Sequence, residues 1–216
     1  MMMTRKTKLM LNSASSLVYQ FITIVCGFIL PRFFLSFYGS AVNGLVSSIT
    51  QFLGFISLAE CGVGAVVQST LYKPLANHDM QEVSKIIVSA DRFFKRIAYI
   101  LLGYTAILMV FYPLITLNSF DYLFTLILIF VISISSFAQY YLGMTYRLLL
   151  NADQLGFIQY SVHSVALILN TVSCILLMKA GTSIQIVKLT TSLIFLIQPL
   201  LLATIAKRKY KIDHKI

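Results

Sequence analysis

Long apolar stretches dominate this chain and leave it few ways to fold. Six of them, over approximately 9–34, 42–71, 97–117, 122–149, 157–178 and 184–206, reach the length of about 20 residues that a helix needs to cross a bilayer core. In lipid every backbone N–H and C=O must be bonded within the protein, so only helices and closed barrels span the membrane. Runs of this length with helical spacing select helices. Hydrophobic residues make up 58% of the sequence and charged residues only 11%, where a water-soluble domain carries roughly a quarter of its residues as charges. The predicted fold class is therefore an all-α integral membrane protein, a six-transmembrane-helix bundle over residues 1–206 followed by a basic tail, 207–216. No repeat with a period of 20–50 residues and no Gly/Ser-rich linker divides the chain, so one membrane domain is expected.

The net charge is +10, and its placement decides what it means. Three Lys or Arg precede the first span, five lie between the second and third, Arg147 sits at the end of the fourth and five fill the tail. That puts fourteen of the 17 on one side, against Arg32, Lys179 and Lys188 on the other. Such alternation is the signature of membrane orientation, with both termini cytoplasmic. It is not a nucleic-acid stripe, and no nucleic-acid partner is expected. The first apolar stretch follows a basic segment but runs well beyond a signal-peptide core, so it should remain as the first transmembrane helix. Cys26, Cys61 and Cys174 all fall inside apolar segments without a CxxC or Cys/His partner, as small core residues do.

One connection is long. Between 72 and 96, Pro74 and Asn77 should end the preceding helix and Asp79 should cap the next. Val83, Ile86, Ile87, Ala90, Phe93 and Phe94 then recur at helical spacing, with Lys85, Arg92, Lys95 and Arg96 between them. An amphipathic helix lying on the cytoplasmic membrane surface is expected over about 79–96.

Polar faces inside the spans are the main functional signal. Asn12, Ser16, Tyr19, Thr23 and Gly27, with Gln20 beside them, line one face of the first span. Ser133, Ser136, Tyr140, Gly143 and Arg147 do so in the fourth, and Gln159, His163, Asn170 and Cys174 in the fifth. Isolated serines of this kind are interhelical glue; stripes on three helices together point to a water-filled cavity. Glu60 lies deep in the second span on a face with Ser57, Gly64 and Gln68. A carboxylate there costs about 2.5–3.5 kcal/mol on an insertion scale, so it either binds a coupling ion or pairs with Arg32 or Arg147. Ser57, Cys61, Ala65 and Ser69 form a small-residue stripe for close helix packing, and Pro31–Arg32 marks a kink or helix end. His163 stands alone, so no metal site is expected. No nucleophile–base pair, paired carboxylates or phosphate-cradling loop occurs, and neither enzymatic activity nor a cofactor is expected.

The stretch YGSAVNGLVSSITQFLGFISLAECGVGAVVQSTLYKPLANHD, from Tyr38 to Asp79, resembles the polysaccharide transporter branch of the multidrug/oligosaccharidyl-lipid/polysaccharide exporter superfamily, the Wzx-like flippases. The matching residues are Tyr38, Gly39, Gly44 and Leu45, the segment from Ser57 to Gly64, and that from Ser69 to Ala76. ILPRFFLSFYG and RLLLNADQLGFI, the latter from Arg147 to Ile158, are similar to two further family segments. Cys61 stands where the family most often has Leu. The resemblance implies one lobe of a two-lobe alternating-access transporter, the N-terminal half, in a bacterial cytoplasmic (inner) membrane. Its substrate would be a polyprenyl pyrophosphate-linked glycan used for surface polysaccharide such as O-antigen, capsule or exopolysaccharide. Its partners would be membrane lipids and a second six-helix half or another copy.

Arg32, Arg147, Gln20, Gln68, Tyr140, Gln159, His163 and Asn170 are the candidate cavity residues, and Glu60 is the candidate for a coupling ion. Guanidinium groups suit a pyrophosphate, and the amide and phenol groups suit sugar hydroxyls. Alternatives are a small-molecule exporter of the same superfamily, a membrane subunit of a polysaccharide-synthesising enzyme, or a non-transporting scaffold.

Overall fold

The computed structural model describes residues 5–60, 62–210 and 212, and these are helical nearly throughout. In chain order the helices are α1 (Arg5–Gly54), α2 (Ser57–Glu60), α3 (Val63–Ala76), α4 (Met80–Thr116), α5 (Tyr122–Ala138), a π-helical turn at Gln139–Gly143, α6 (Met144–Ala152), α7 (Gly156–Lys179) and α8 (Ile184–Lys209). Among the described residues, five helical runs are long and apolar enough to cross a membrane: Lys6–Glu60, Met80–Thr116, Tyr122–Ala152, Gly156–Lys179 and Ile184–Lys209. Large apolar side chains such as Phe21, Phe28, Ile115, Val165 and Leu176 stand exposed along them. A surface of this kind suits lipid, since soluble monomers rarely expose apolar patches beyond a few hundred Å². The chain is thus a multi-pass helical membrane protein.

The first run, at 55 residues, would be about 80 Å long if straight, far more than a bilayer core. It bends at Gly39, whose φ of 78° and ψ of 172° leave the helical region. A residue with a Cβ rarely adopts that φ, so glycine is the residue for the turn. Contacts at the two ends show that the chain doubles back there. At one end the Lys8 ammonium donates to the Asp153 carboxylate at 2.9 Å, and the Asn12 amide donates to the Gln154 carbonyl at 3.0 Å. At the other, the Tyr38 hydroxyl donates to the Thr182 carbonyl at 2.8 Å. Tyr72, Leu75 and Ala76 at the end of α3 border the same hollow as Lys8 and Asp153.

Several expectations change. The span expected at 42–71 is not one helix. Phe55 and Ile56 form tight turns bonded to Phe52 and Leu53, and Gly62 restarts the helix from a left-handed φ of 75°. Cys61, with its place in the small-residue stripe, lies outside the described residues. Pro74 sits inside α3, which runs on to its C-cap Asn77, and Pro31 is internal to α1 and so marks no helix end.

The amphipathic helix expected at 79–96 is instead the first part of the continuous α4. Asp79 does cap it, accepting from the Glu82 amide at 3.0 Å. Protein covers its apolar face: Val83, Ile87 and Phe94 are at most 1% exposed and pack in clusters with Leu71, Leu149 and Leu148. With that face covered and no breaker between Arg96 and Ile97, the helix continues. The basic tail expected from 207 begins as the last turn of α8, which ends at Lys209.

Asp153, in the turn between α6 and α7, ties both ends of the chain together. Lys8 and Lys209 form ion pairs with it at 2.9 and 2.8 Å, and the Tyr210 hydroxyl donates to the same carboxylate. Burial by itself would raise the Asp153 carboxyl; hydrogen bonds from Lys209, Tyr210 and Lys8 outweigh it and hold the group below its ordinary value of 3.8. Burial, then the bond to Asp153, pushes the Tyr210 phenol up. A carboxylate depressed by folding contributes stability that is present above its unfolded pKa and lost as pH falls through the folded one. The melting midpoint of wild type should therefore fall from pH 6 to pH 3 more than that of Asp153→Asn. Parallel pH curves for the two proteins would count against the node.

Candidate substrate pocket

Polar residues from α5, the π turn, α6, α7 and α8 converge on a pocket of about 270 Å³. It is lined by Ser135, Ser136, Gln139 and Gly143 from α5 and the π turn, Arg147 from α6, His163 from α7, and Phe195, Gln198, Pro199 and Leu202 from α8. Local sequence explains the convergence. The π turn adds a residue to one helical turn, so Gln139 and Gly143 share the pocket wall with Ser135, Ser136 and Arg147. Gly143 is the point of closest approach to α8. A Cβ built on it would stand 2.6 Å from the Pro199 Cβ and 3.3 Å from its Cα.

Inside the pocket the Gln198 carboxamide bonds to His163 Nδ1. The imidazole is enclosed by Tyr19, edge-on at 5.2 Å between ring centroids, and by Phe195 at 6.3 Å. Arg147 is half-buried, and its Nε is fully shielded without a hydrogen-bond partner. Glu60 lies within electrostatic reach of Arg147 and of Tyr140, but the two charges form no ion pair among the described residues. The Glu60 carboxylate is instead folded over Gly64, its Oε1 standing 2.6 Å from where a Cβ on that glycine would lie. Glycine at 64 is what lets the carboxylate lie there.

The candidate residues separate into groups. Arg147 and His163 share the pocket, and Tyr140 and Glu60, which do not line it, lie within electrostatic reach of Arg147. Gln68 lines a different polar hollow of about 410 Å³ with Asn12, Ser16, Asn151 and Tyr160, and its amide donates to the Tyr72 hydroxyl. Asn170 does not line this pocket: it is 5% exposed and accepts from the Cys174 thiol. Gln159 is half-buried away from the pocket walls, and Gln20 is exposed.

Arg32 is exposed and pairs with neither Glu60 nor any other carboxylate among the described residues. It lies about 120° around the helix from Gln20, which is why the polar stripe of α1 does not include it. Ser135, Gln139, Phe195 and Gln198 were not among the candidates. A glutamine followed by proline within a long apolar span was the available signal for Gln198.

Fold and pocket together define a class: a multi-pass helical membrane protein with a polar, cation-bearing pocket between its helices. No protein-family model, curated protein or solved structure matches the chain.

Proposed function

We propose that this chain is one six-pass lobe of an alternating-access flippase that moves lipid-linked oligosaccharide across a bacterial cytoplasmic membrane, with both termini cytoplasmic. The doubling back at Gly39 supplies the first two of the six passes. The observation that carries the reading is Arg147, a guanidinium set between apolar helices with its Nε shielded and unpartnered. A charge at that depth is expensive and ordinarily has a partner. A phosphate, which accepts planar bidentate hydrogen bonds, is the natural one. Ser135, Ser136, Gln139 and Gln198 add the neutral hydrogen-bonding groups that a first sugar requires. The glycan part of the reading rests on the resemblance between Tyr38 and Asp79 and that around Arg147.

The pocket's 270 Å³ falls just under the range of about 300–1,000 Å³ that holds drug-sized ligands. It has room for the diphosphate and one ring, and the rest of the glycan must lie between lobes. The same small volume and its aromatic wall also favour a second reading, a small-molecule exporter of the same superfamily. Glu60, uncommitted to an ion pair, is the group for exchange of a proton or sodium ion.

A vesicle assay with a fluorescent lipid-linked sugar, run with and without a second six-helix half, tests the proposal. Movement of the lipid-linked sugar is expected once the lobe is paired. Movement of small organic cations alone would favour the exporter instead. Orientation is tested separately at His78, exposed in the turn between α3 and α4. A cysteine placed there should resist impermeant maleimide in intact cells and react after lysis. Labelling in intact cells would invert the topology.

A further inference from the structure

On the outside of the bundle, α3 and α4 leave a groove of about 400 Å³ between them. Its floor is apolar, built from Val63, Val67, Ile86, Ala90 and Phe93, and its remaining lining residues are Thr70, Lys85 and Ser89. The cation stands toward one end of the groove and the aromatic ring toward the other. Lys85 stands five residues into α4, about 8 Å from its start, whereas Phe93 lies about 20 Å in. On α3, which runs the opposite way, Thr70 is near the end at Ala76 and Val63 is at the far end. At 37 residues, α4 is about 55 Å long against a hydrocarbon core of about 30 Å, so its first turns reach into the headgroup zone. Lys85 is exposed there and belongs to no ion pair among the described residues. No Asp or Glu among the described residues lines the groove.

We propose that this groove holds one anionic phospholipid, its phosphate on the Lys85 ammonium and the Ser89 hydroxyl, one acyl chain lying along Val67, Ala90 and Phe93. The ends of the groove, Lys85 outermost and Phe93 and Val63 deepest, match the order of headgroup and acyl chain in a phospholipid. The uncompensated ammonium selects an anionic headgroup over a zwitterionic one. The inference depends on the membrane setting and is independent of what the protein transports.

Native mass spectrometry of the detergent-purified protein, titrated with phosphatidylglycerol and phosphatidylcholine of identical acyl chains, tests it. Wild type should retain one phosphatidylglycerol in preference. Lys85→Ala should weaken that retention about fivefold, the effect of removing one cation near a membrane surface. Ser89→Phe, at an exposed lining position, should fill the groove and displace both lipids. Lys179→Ala, at an exposed lysine near the other end of the bundle, should behave as wild type. Equal retention of the two lipids by wild type, or unchanged retention by Lys85→Ala, would overturn the site. So would an equal loss in Lys179→Ala, which would indicate diffuse surface charge. Tighter retention of a polyprenyl phosphate than of phosphatidylglycerol would give the groove to a carrier lipid and overturn the assignment to phospholipid.

Discussion

Gly143→Val is expected to lower the stability of the bundle by about 3 kcal/mol or more, the upper end of what overpacking costs. Even the first added carbon would meet Pro199 Cβ at 2.6 Å and Cα at 3.3 Å. The obstacle is a proline ring and its backbone, which have no rotamer to escape into. To make room, α8 must move away from the π turn, and that opens the contact holding Gln198 against His163. Buried Cys26 and Cys174 allow the measurement, since a thiol-reactive dye reports their exposure as the protein melts in detergent. Gly103→Ala is the matched control: nothing lies within 4 Å of a Cβ there, so its midpoint should equal or slightly exceed that of wild type. A Gly143→Val protein melting with the wild type would show that the helices part freely at this point.

Arg147→Ala should cut transport of a lipid-linked sugar on the order of 10- to 100-fold in the paired transporter. That range corresponds to losing hydrogen bonds to a charged group, worth about 1.5–3 kcal/mol. Stability should move little, because among the described residues Arg147 Nε has no hydrogen-bond partner and Glu60 forms no ion pair with it. Arg147→Lys should recover part of the rate, since a lysine keeps the charge but not the planar fork. If Arg147→Ala instead melts well below wild type while the surviving protein transports normally, Arg147 belongs to the packing and the pocket loses its anion site.

Much of this protein was legible in its sequence because lipid imposes a simple rule. Apolar runs of bilayer length had to become helices, and their ends emerged within a few residues at 122, 157 and 184, where Asp121, Gly156 and Ser183 mark the starts. Asp79 was legible as a cap because a carboxylate three residues before an amide has a local partner. The polar stripe of the fourth span, Ser136 through Gly143 to Arg147, did lead to the pocket.

Whatever depended on partners distant in the chain was not legible. A surface helix and the first turns of a long transmembrane helix carry the same amphipathic pattern. Only the placement of Leu71, Leu149 and Leu150 against Val83 and Ile87 decided that protein rather than headgroups covers that face. Arg32 and Arg147 are equally basic and equally flanked by apolar residues. Packing left one exposed on the outside of α1 and half-buried the other in the pocket with His163 and Gln198. The sequence by itself determined which segments are helical, because that depends on local periodicity and on the absence of water. The tertiary structure alone decided which polar groups meet, because a helix face acquires a chemical role only from the face packed against it.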